Sequence, residues 1–176
     1  DLFDGEVEDY PLTISSDPPP FLCDSSLYRY DDDRIMRRLS FTASGSSYTI
    51  GFQDIGTAPR DLNANWGYNA LDGYMYAVRP GRSDLYRLDG AGNFVDLANL
   101  PGGTADGSEA GDIMPNSTMV YVANSNTWQL ISLVDASNPV NLGVLNLSQS
   151  VDTRDIAYNP VDGLFYGIDQ SSGRAF

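Results

Sequence analysis

Asn69-Ala-Leu-Asp72-Gly73-Tyr-Met-Tyr76-Ala-Val78 and Asn159-Pro-Val-Asp162-Gly163-Leu-Phe-Tyr166-Gly-Ile168 are two copies of one pattern, 159 − 69 = 90 residues apart. Tyr121, in Thr-Met-Val-Tyr121-Val-Ala, lies halfway: 121 − 76 = 45 and 166 − 121 = 45. The following strand repeats as well, because Leu85 and Leu88 match Leu130 and Leu133 at the same offset. Asp72-Gly73 and Asp162-Gly163 are hairpin-turn signals, since glycine takes a positive φ without a Cβ penalty. A unit of about 45 residues with three or four short strands has the size of one propeller blade. The spacing puts Tyr76, Tyr121 and Tyr166 at equivalent positions on a strand close to the propeller axis. Small neighbours, Ala77 and Gly167, would permit the crowding there.

Working outward, Leu27-Tyr-Arg-Tyr-Asp31 nearly repeats Leu85-Tyr-Arg-Leu-Asp89, but at an offset of 85 − 27 = 58. The first unit therefore carries an insertion, placed within residues 40–50. From Phe21 onward, short aromatic or β-branched runs alternate with Gly, Asn, Asp, Pro and Ser turns, which reads as strands with at most a single helical turn. Residues 104–112, TADGSEAGD, read as a polar loop. The fold class expected is all-β: an incomplete propeller of about three and a half blades, at about 21–60, 61–105, 106–150 and 151–176. An open stack leaves unpaired edges at both ends, so the chain reads as a piece of a longer protein. A complete β-sandwich is the alternative.

The N-terminal end differs. Leu12-Thr13-Ile14-Ser15 alternates like a strand, and Pro18-Pro19-Pro20 forms a stiff spacer. This divides the chain into 1–17, a linker at 18–20, and the repeats at 21–176. Residues 1–33 hold ten acids and one Arg, a net of −9 out of the whole chain's −14.

Composition excludes several chemistries. With no His and no Lys among 176 residues, Ser-His-Asp and Cys-His nucleophiles, Schiff bases and the phosphate-loop lysine are absent. A net charge of −14 argues against nucleic acid and anionic membranes. No run of about 18 apolar residues could span a bilayer. One cysteine, Cys23, cannot form an internal disulfide. It is expected as a mostly buried thiol, or bonded to a partner outside the sequence.

Two stretches resemble known families. Gly5-Glu6-Val7-Glu8-Asp9-Tyr10, followed by Pro11-Leu12-Thr13-Ile14, is similar to the GEVEDY motif that closes a β-sandwich module of large secreted or surface bacterial proteins. The region from Phe21 resembles an uncharacterised bacterial propeller-like repeat domain found beside such modules. The matching pieces are Phe21-Leu-Cys23, Leu27-Tyr28, Gly67-Tyr68-Asn69 with Asp72-Gly73-Tyr74-Met-Tyr76, and Ala157-Tyr158-Asn159-Pro160 with Asp162-Gly163-Leu-Phe-Tyr166-Gly-Ile168. The middle unit departs, with Pro115-Asn116-Ser117-Thr118 where Asn-Pro-x-Asp-Gly would stand. The resemblance implies an extracellular or cell-surface multidomain protein and no catalytic residues.

Candidate sites follow from residue chemistry. Asp4, Glu6, Glu8 and Asp9, and then Asp31, Asp32 and Asp33, are carboxylate sets suited to calcium. Their alternatives are a solvated junction for the first and a turn paired with Arg34, Arg37 or Arg38 for the second. Asp72 and Asp162 are expected to cap their own turns. Tyr68, Tyr74, Tyr76, Tyr158 and Tyr166, with Trp66 and Trp128, either fill space between blades or form a sugar-binding surface. Glu109 with Asp106, Asp112, Asp152 or Asp155 could supply the carboxylate pair of a glycoside hydrolase. The function expected is a structural or adhesive segment of a large extracellular bacterial protein; the alternative is a carbohydrate-binding or carbohydrate-active propeller fragment. Partners expected are other domains of the same longer protein, other copies of the chain, or a cell-surface glycan, with calcium as the sole cofactor and neither nucleic acid nor membrane insertion.

Overall fold

A computed structural model describes residues 18–21, 26–62, 66–79, 81–101, 110–124, 126–153 and 155–176. Among these residues there is no helix, and the strands form four small antiparallel sheets. The first contains β1 (Leu27–Tyr30), β2 (Ile35–Ser44) and β3 (Ser47–Thr57). The second contains β4 (Trp66–Asn69), β5 (Tyr74–Val78), β6 (Asp84–Leu88) and β7 (Phe94–Asn99). The third contains β8 (Gly111–Ile113), β9 (Thr118–Asn124), β10 (Thr127–Ser132) and β11 (Val140–Asn146). The fourth contains β12 (Ile156–Asn159), β13 (Leu164–Asp169) and β14 (Arg174–Ala175). Sheets two and three are up-and-down meanders in strand order, as propeller blades are, and the four sheets do not close into a barrel. The GEVEDY-like stretch lies outside the described residues, as does Cys23.

Alternation along each strand gives every sheet two faces, and the core lies between sheets. Tyr76, Val78 and Leu85 on one face of sheet two pack with Ile113, Met119, Tyr121, Ile131 and Leu133 of sheet three. The opposite face of sheet two puts Ala77, Tyr86 and Leu88 among Met36, Ala58, Leu62 and Phe21. Val120, Val122 and Trp128 on the far face of sheet three meet Ile156, Phe165 and Phe176. Each interior contact thus joins the forward face of one sheet to the backward face of the next.

Successive sheets touch through β4, β8 and β12. These first strands, and not the tyrosine strands β5, β9 and β13, are innermost, which corrects the expected place of the tyrosines. Gly67 carries the close approach: a Cβ there would sit 2.6 Å from Ile113 Cγ1 and 2.9 Å from Ile113 N. Gly111 and Asp112 belong to β8, so the loop expected over 104–112 stops short of them. Pairing with Tyr121 and Val120 recruits these two residues into the sheet despite their low strand propensity.

The insertion in the first unit is a lengthened hairpin, with β2 and β3 paired from Ile35↔Thr57 out to Ser44↔Ser47 around a turn at Gly45, φ 61°. The proline run is docked on sheet two. Tyr74 Oη donates to Pro18 O at 2.6 Å, and Gly90 N donates to Pro19 O at 2.9 Å.

Candidate functional site

The residues repeated in sequence form a repeated hydrogen-bonded latch. In sheet two, Asp72 Oδ2 accepts from Tyr76 Oη at 2.7 Å and from Asn69 Nδ2 at 2.9 Å, while Asp72 Oδ1 accepts from Tyr74 N. Asn69 Oδ1 accepts from Leu71 N, and Gly73 N donates to Asn69 O. Sheet four has the same set: Asp162 Oδ2 accepts from Tyr166 Oη at 2.6 Å and Asn159 Nδ2 at 2.9 Å, and Asp162 Oδ1 accepts from Leu164 N. Gly73 and Gly163 close the two turns at φ 77° and 76°. Turn-capping by the aspartates was legible in sequence; the tyrosine hydroxyl, four residues on, was not. The hydrogen bond from Tyr166 holds the Asp162 carboxyl below its ordinary value, and Asp162 raises Tyr166 in return. Tyr76 is raised further, first by burial and then by Asp72.

Sheet three lacks the latch. Its first turn is one residue shorter, with Ser117 N donating to Met114 O and Met114 N to Thr118 O. The strand that follows is thereby shifted by one residue. A one-residue slip sends a side chain to the other face. Tyr121 pairs with Gly111 and faces backward, into the core shared with sheet two. Val120 takes the forward place held by Tyr76 and Tyr166. The three tyrosines share a strand type, but Tyr121 sits on the opposite face from the other two. The short turn has its own use: Ser117 Oγ donates to Asn69 Oδ1 at 2.8 Å in a buried contact, joining two sheets.

Of the acidic sets, Asp4, Glu6, Glu8 and Asp9 lie outside the described residues. Asp31 and Asp33 converge on Arg37, with Nη1 2.7 Å from Asp31 Oδ2 and Nη2 2.5 Å from Asp33 Oδ2. Arg37 Nε reaches Asp54 Oδ1 at 2.9 Å, and Arg29 pairs with Asp31 at 2.5 Å. The Arg37 guanidinium lowers the Asp33 carboxyl. Asp32 is an exposed member of the same turn. Among the described residues, no group of three or more acidic or cysteine side chains is arranged to hold a metal ion.

Among the described residues, the carboxylates with raised pKa values are Asp112 and Asp155. Burial raises Asp112, and the neighbouring Asp155 adds to it; partial desolvation raises Asp155. Asp112 Oδ2 accepts from Tyr158 N at 2.8 Å and Oδ1 from Ile113 N at 2.7 Å. It stitches β8 to β12. Glu109 and Asp106 lie outside the described residues. Asp152 has its backbone N bonded to Asp169 Oδ2 at 3.0 Å.

The aromatics divide by position. Trp66 packs between Tyr30 and Phe94, and Trp128 against Phe165 and Phe176. Tyr68 packs beside Met75. Arg87 stacks on Tyr74, 4.4 Å from the ring centroid. Tyr158 meets Phe165 at 5.1 Å. Tyr166 instead borders an apolar cleft of about 540 Å³ with Ala157, Ile168, Asp155 and Ala175.

The model of a family described as a repeat of unknown function (DUF6923) matches residues 31–176. No curated protein matches the chain in sequence. The chain is similar in structure to a virginiamycin B lyase from Staphylococcus aureus, with a TM-score of 0.51 and 8% identity, over 86% of this chain and 50% of that one. It is also similar to a gluconolactonase from Xanthomonas campestris, with a TM-score of 0.47 and 10% identity over 81% of this chain and 52% of that one. A streptogramin B lyase gives a TM-score of 0.46 and 11% identity over 85% and 52%. The chain spans about half the length of these proteins. At such identity the likeness shows the fold alone, an all-β propeller architecture.

Proposed function

The chain belongs to the DUF6923 repeat family, and from that premise we propose that it is a structural or adhesive, non-catalytic segment of a large extracellular bacterial protein. The supporting observation is the fate of its polar residues. Asp72 and Asp162 are consumed by the turns that carry them, Asp31 and Asp33 by Arg37, and Asp112 by two backbone N–H groups. Groups so engaged build a scaffold. A second reading, carbohydrate binding, is favoured by one observation: the half-exposed Tyr166 ring beside the cleft on sheet four.

Incubating the chain with virginiamycin B, with glucono-lactone and with a panel of bacterial oligosaccharides tests both readings. The structural reading expects no turnover and no saturable binding. Turnover lost on Asp112→Asn or Asp155→Asn would overturn it, and oligosaccharide binding lost on Tyr166→Ala would install the second. Calcium is carried as part of the proposal at Asp4, Glu6, Glu8 and Asp9 and at Asp31, Asp32 and Asp33, with Arg37 as its competitor in the latter. Equal melting temperatures in calcium and in chelator, at equal ionic strength, would remove it.

A further inference from the structure

We propose that sheet two carries a binding site for a proline-rich segment, filled here by the chain's own Pro18–Phe21, which acts as a clamp fixing where the preceding residues join the repeats. Three successive prolines favour an extended polyproline helix and bring carbonyl acceptors with no N–H donor. The first main-chain donor after the run is Phe21 N. The surface beneath offers the complementary groups in the same order. Tyr74 Oη donates to Pro18 O at 2.6 Å, Gly90 N donates to Pro19 O at 2.9 Å, and Gly73 O accepts from Phe21 N. Phe21 is the anchor side chain. It is 5% exposed, packed among Met36 of sheet one and Leu88 of sheet two, with its ring centroid 4.7 Å from that of Tyr28.

Two turns make the site, and each is tied by its own aspartate. The turn before β5 is held by the Asp72 latch. In the turn between β6 and β7, Asp89 Oδ1 accepts from Ala91 N and Asn93 N, and Asp89 Oδ2 from Asn93 Nδ2, all at 2.9 Å. Turns fixed in this way lose little freedom when a segment docks on them. Both walls come close to the strap. A Cβ at Gly73 would lie 2.9 Å from Pro20 Cβ, and one at Gly90 would lie 2.2 Å from Pro20 O and 3.3 Å from Pro19 O. Gly73 also serves its turn, at φ 77°. Gly90 has no left-handed φ, and the three atoms nearest to its added Cβ all belong to the strap. The strap's approach is thus what calls for glycine there.

These features are not part of the general repeat. At the 45-residue offset Gly73, Tyr74 and Gly90 become Thr118, Met119 and Asp135, and at 90 residues Tyr74 becomes Leu164. Asp72 and Tyr76 do recur, as Asp162 and Tyr166. Donor and space are therefore supplied on the sheet where the prolines lie. The route of the chain gives the clamp its consequence. Sheet one follows the strap in sequence, yet the strap lies on sheet two, so the chain crosses the junction of the two sheets and returns. A pull on the residues before Pro18 is delivered to sheet two and to the Phe21 plug before it reaches β1.

Amide exchange of the 176-residue chain, read by NMR, tests the site at the Phe21 and Gly90 amides. Both should be protected in the parent. Replacing the run, Pro18→Gly with Pro19→Gly and Pro20→Gly, keeps every carbonyl but removes the stiffness, and both amides should exchange roughly tenfold faster or more. The Gly163 amide, bonded to Asn159 O in sheet four, should stay unchanged. Gly90→Ala, which alters no strap residue, should also release Phe21. A free Asp-Pro-Pro-Pro-Phe peptide at several millimolar, the range of effective concentration in cis, should restore protection of Gly90 in the triple-glycine variant and leave the parent unchanged. Free exchange at both amides in the parent overturns the proposal, as does protection that survives the triple substitution. So does acceleration that extends equally to Gly163, since the strap would then be part of one global unit, and so does a peptide that leaves Gly90 unprotected.

Discussion

Sheets two and four carry the same latch, atom for atom, in opposite surroundings. Asp72 and Asp162 each accept from a tyrosine hydroxyl, an asparagine amide and a backbone N–H at nearly equal distances. Yet Tyr76 is 1% exposed and Tyr166 46%. Local sequence makes the latch, and the neighbouring sheet makes it a core. The energetic weight of identical hydrogen bonds should therefore differ between the two sites, because a buried polar group left unpaired costs far more than one that water can reach.

The largest separation is expected from the tyrosines. Tyr76→Ala should cost about 3–5 kcal/mol in urea denaturation, as large buried aromatics do. Tyr166→Ala should cost under about 1 kcal/mol, as exposed substitutions do. Equal losses would break the comparison. Asn69→Ala should come next, at about 1–3 kcal/mol, because it strands the Leu71 N–H and the buried Ser117 hydroxyl. Asn159→Ala should cost less than half as much. A double-mutant cycle of Asn69→Ala with Ser117→Ala should show coupling, which isolates the bond between sheets from the turn itself.

Substitution of the turn glycines sharpens the same contrast. Gly73→Ala and Gly163→Ala both force a Cβ into the left-handed region, at about 1–2 kcal/mol. At Gly73 the new Cβ would also lie 2.9 Å from Pro20 Cβ, whereas at Gly163 the nearest atom, Tyr158 Oη, is 3.7 Å away. Gly73→Ala should therefore be the more destabilising of the pair in thermal melts.

The smallest effect concerns the stitch between sheets three and four. Burial raises the folded pKa of Asp112, so the folded chain holds this proton more tightly than the unfolded one. Its contribution to stability is full below about pH 4, the unfolded carboxyl value, and is lost as pH rises through the raised folded value. Asp112→Asn should remove that decline from a plot of melting temperature against pH. A variant whose profile parallels the parent would show that Asp112 does not titrate in this window.

Much of the architecture was legible. The 45-residue spacing, the Asp-Gly turns and the alternating runs announced short-stranded repeats, because these are local properties of backbone and turn. The offset of 58 announced the insertion that became the β2–β3 hairpin. Besides the tyrosine hydroxyl of the latch, three things were not legible. Residues 111–112 read as loop until pairing with β9 made them a strand. The tyrosine strand read as close to the axis, although Gly67 and Ile113 show that it is the first strands that approach one another. Tyr121 read as the partner of Tyr76 and Tyr166, although it faces the other way.

That last case marks the boundary between what the sequence and the tertiary structure each decided. Sequence alone determined most of the strands and turns and that the aspartates cap their own turns, since those interactions span a few neighbouring residues. A turn shortened by one residue, at Pro115-Asn116-Ser117, keeps the 45-residue spacing of the tyrosines but reverses the face on which one of them lies. Only the assembled sheets decide which face meets another sheet and which meets water. Burial is a property of two surfaces in contact, and the second surface here comes from residues some 45 positions away.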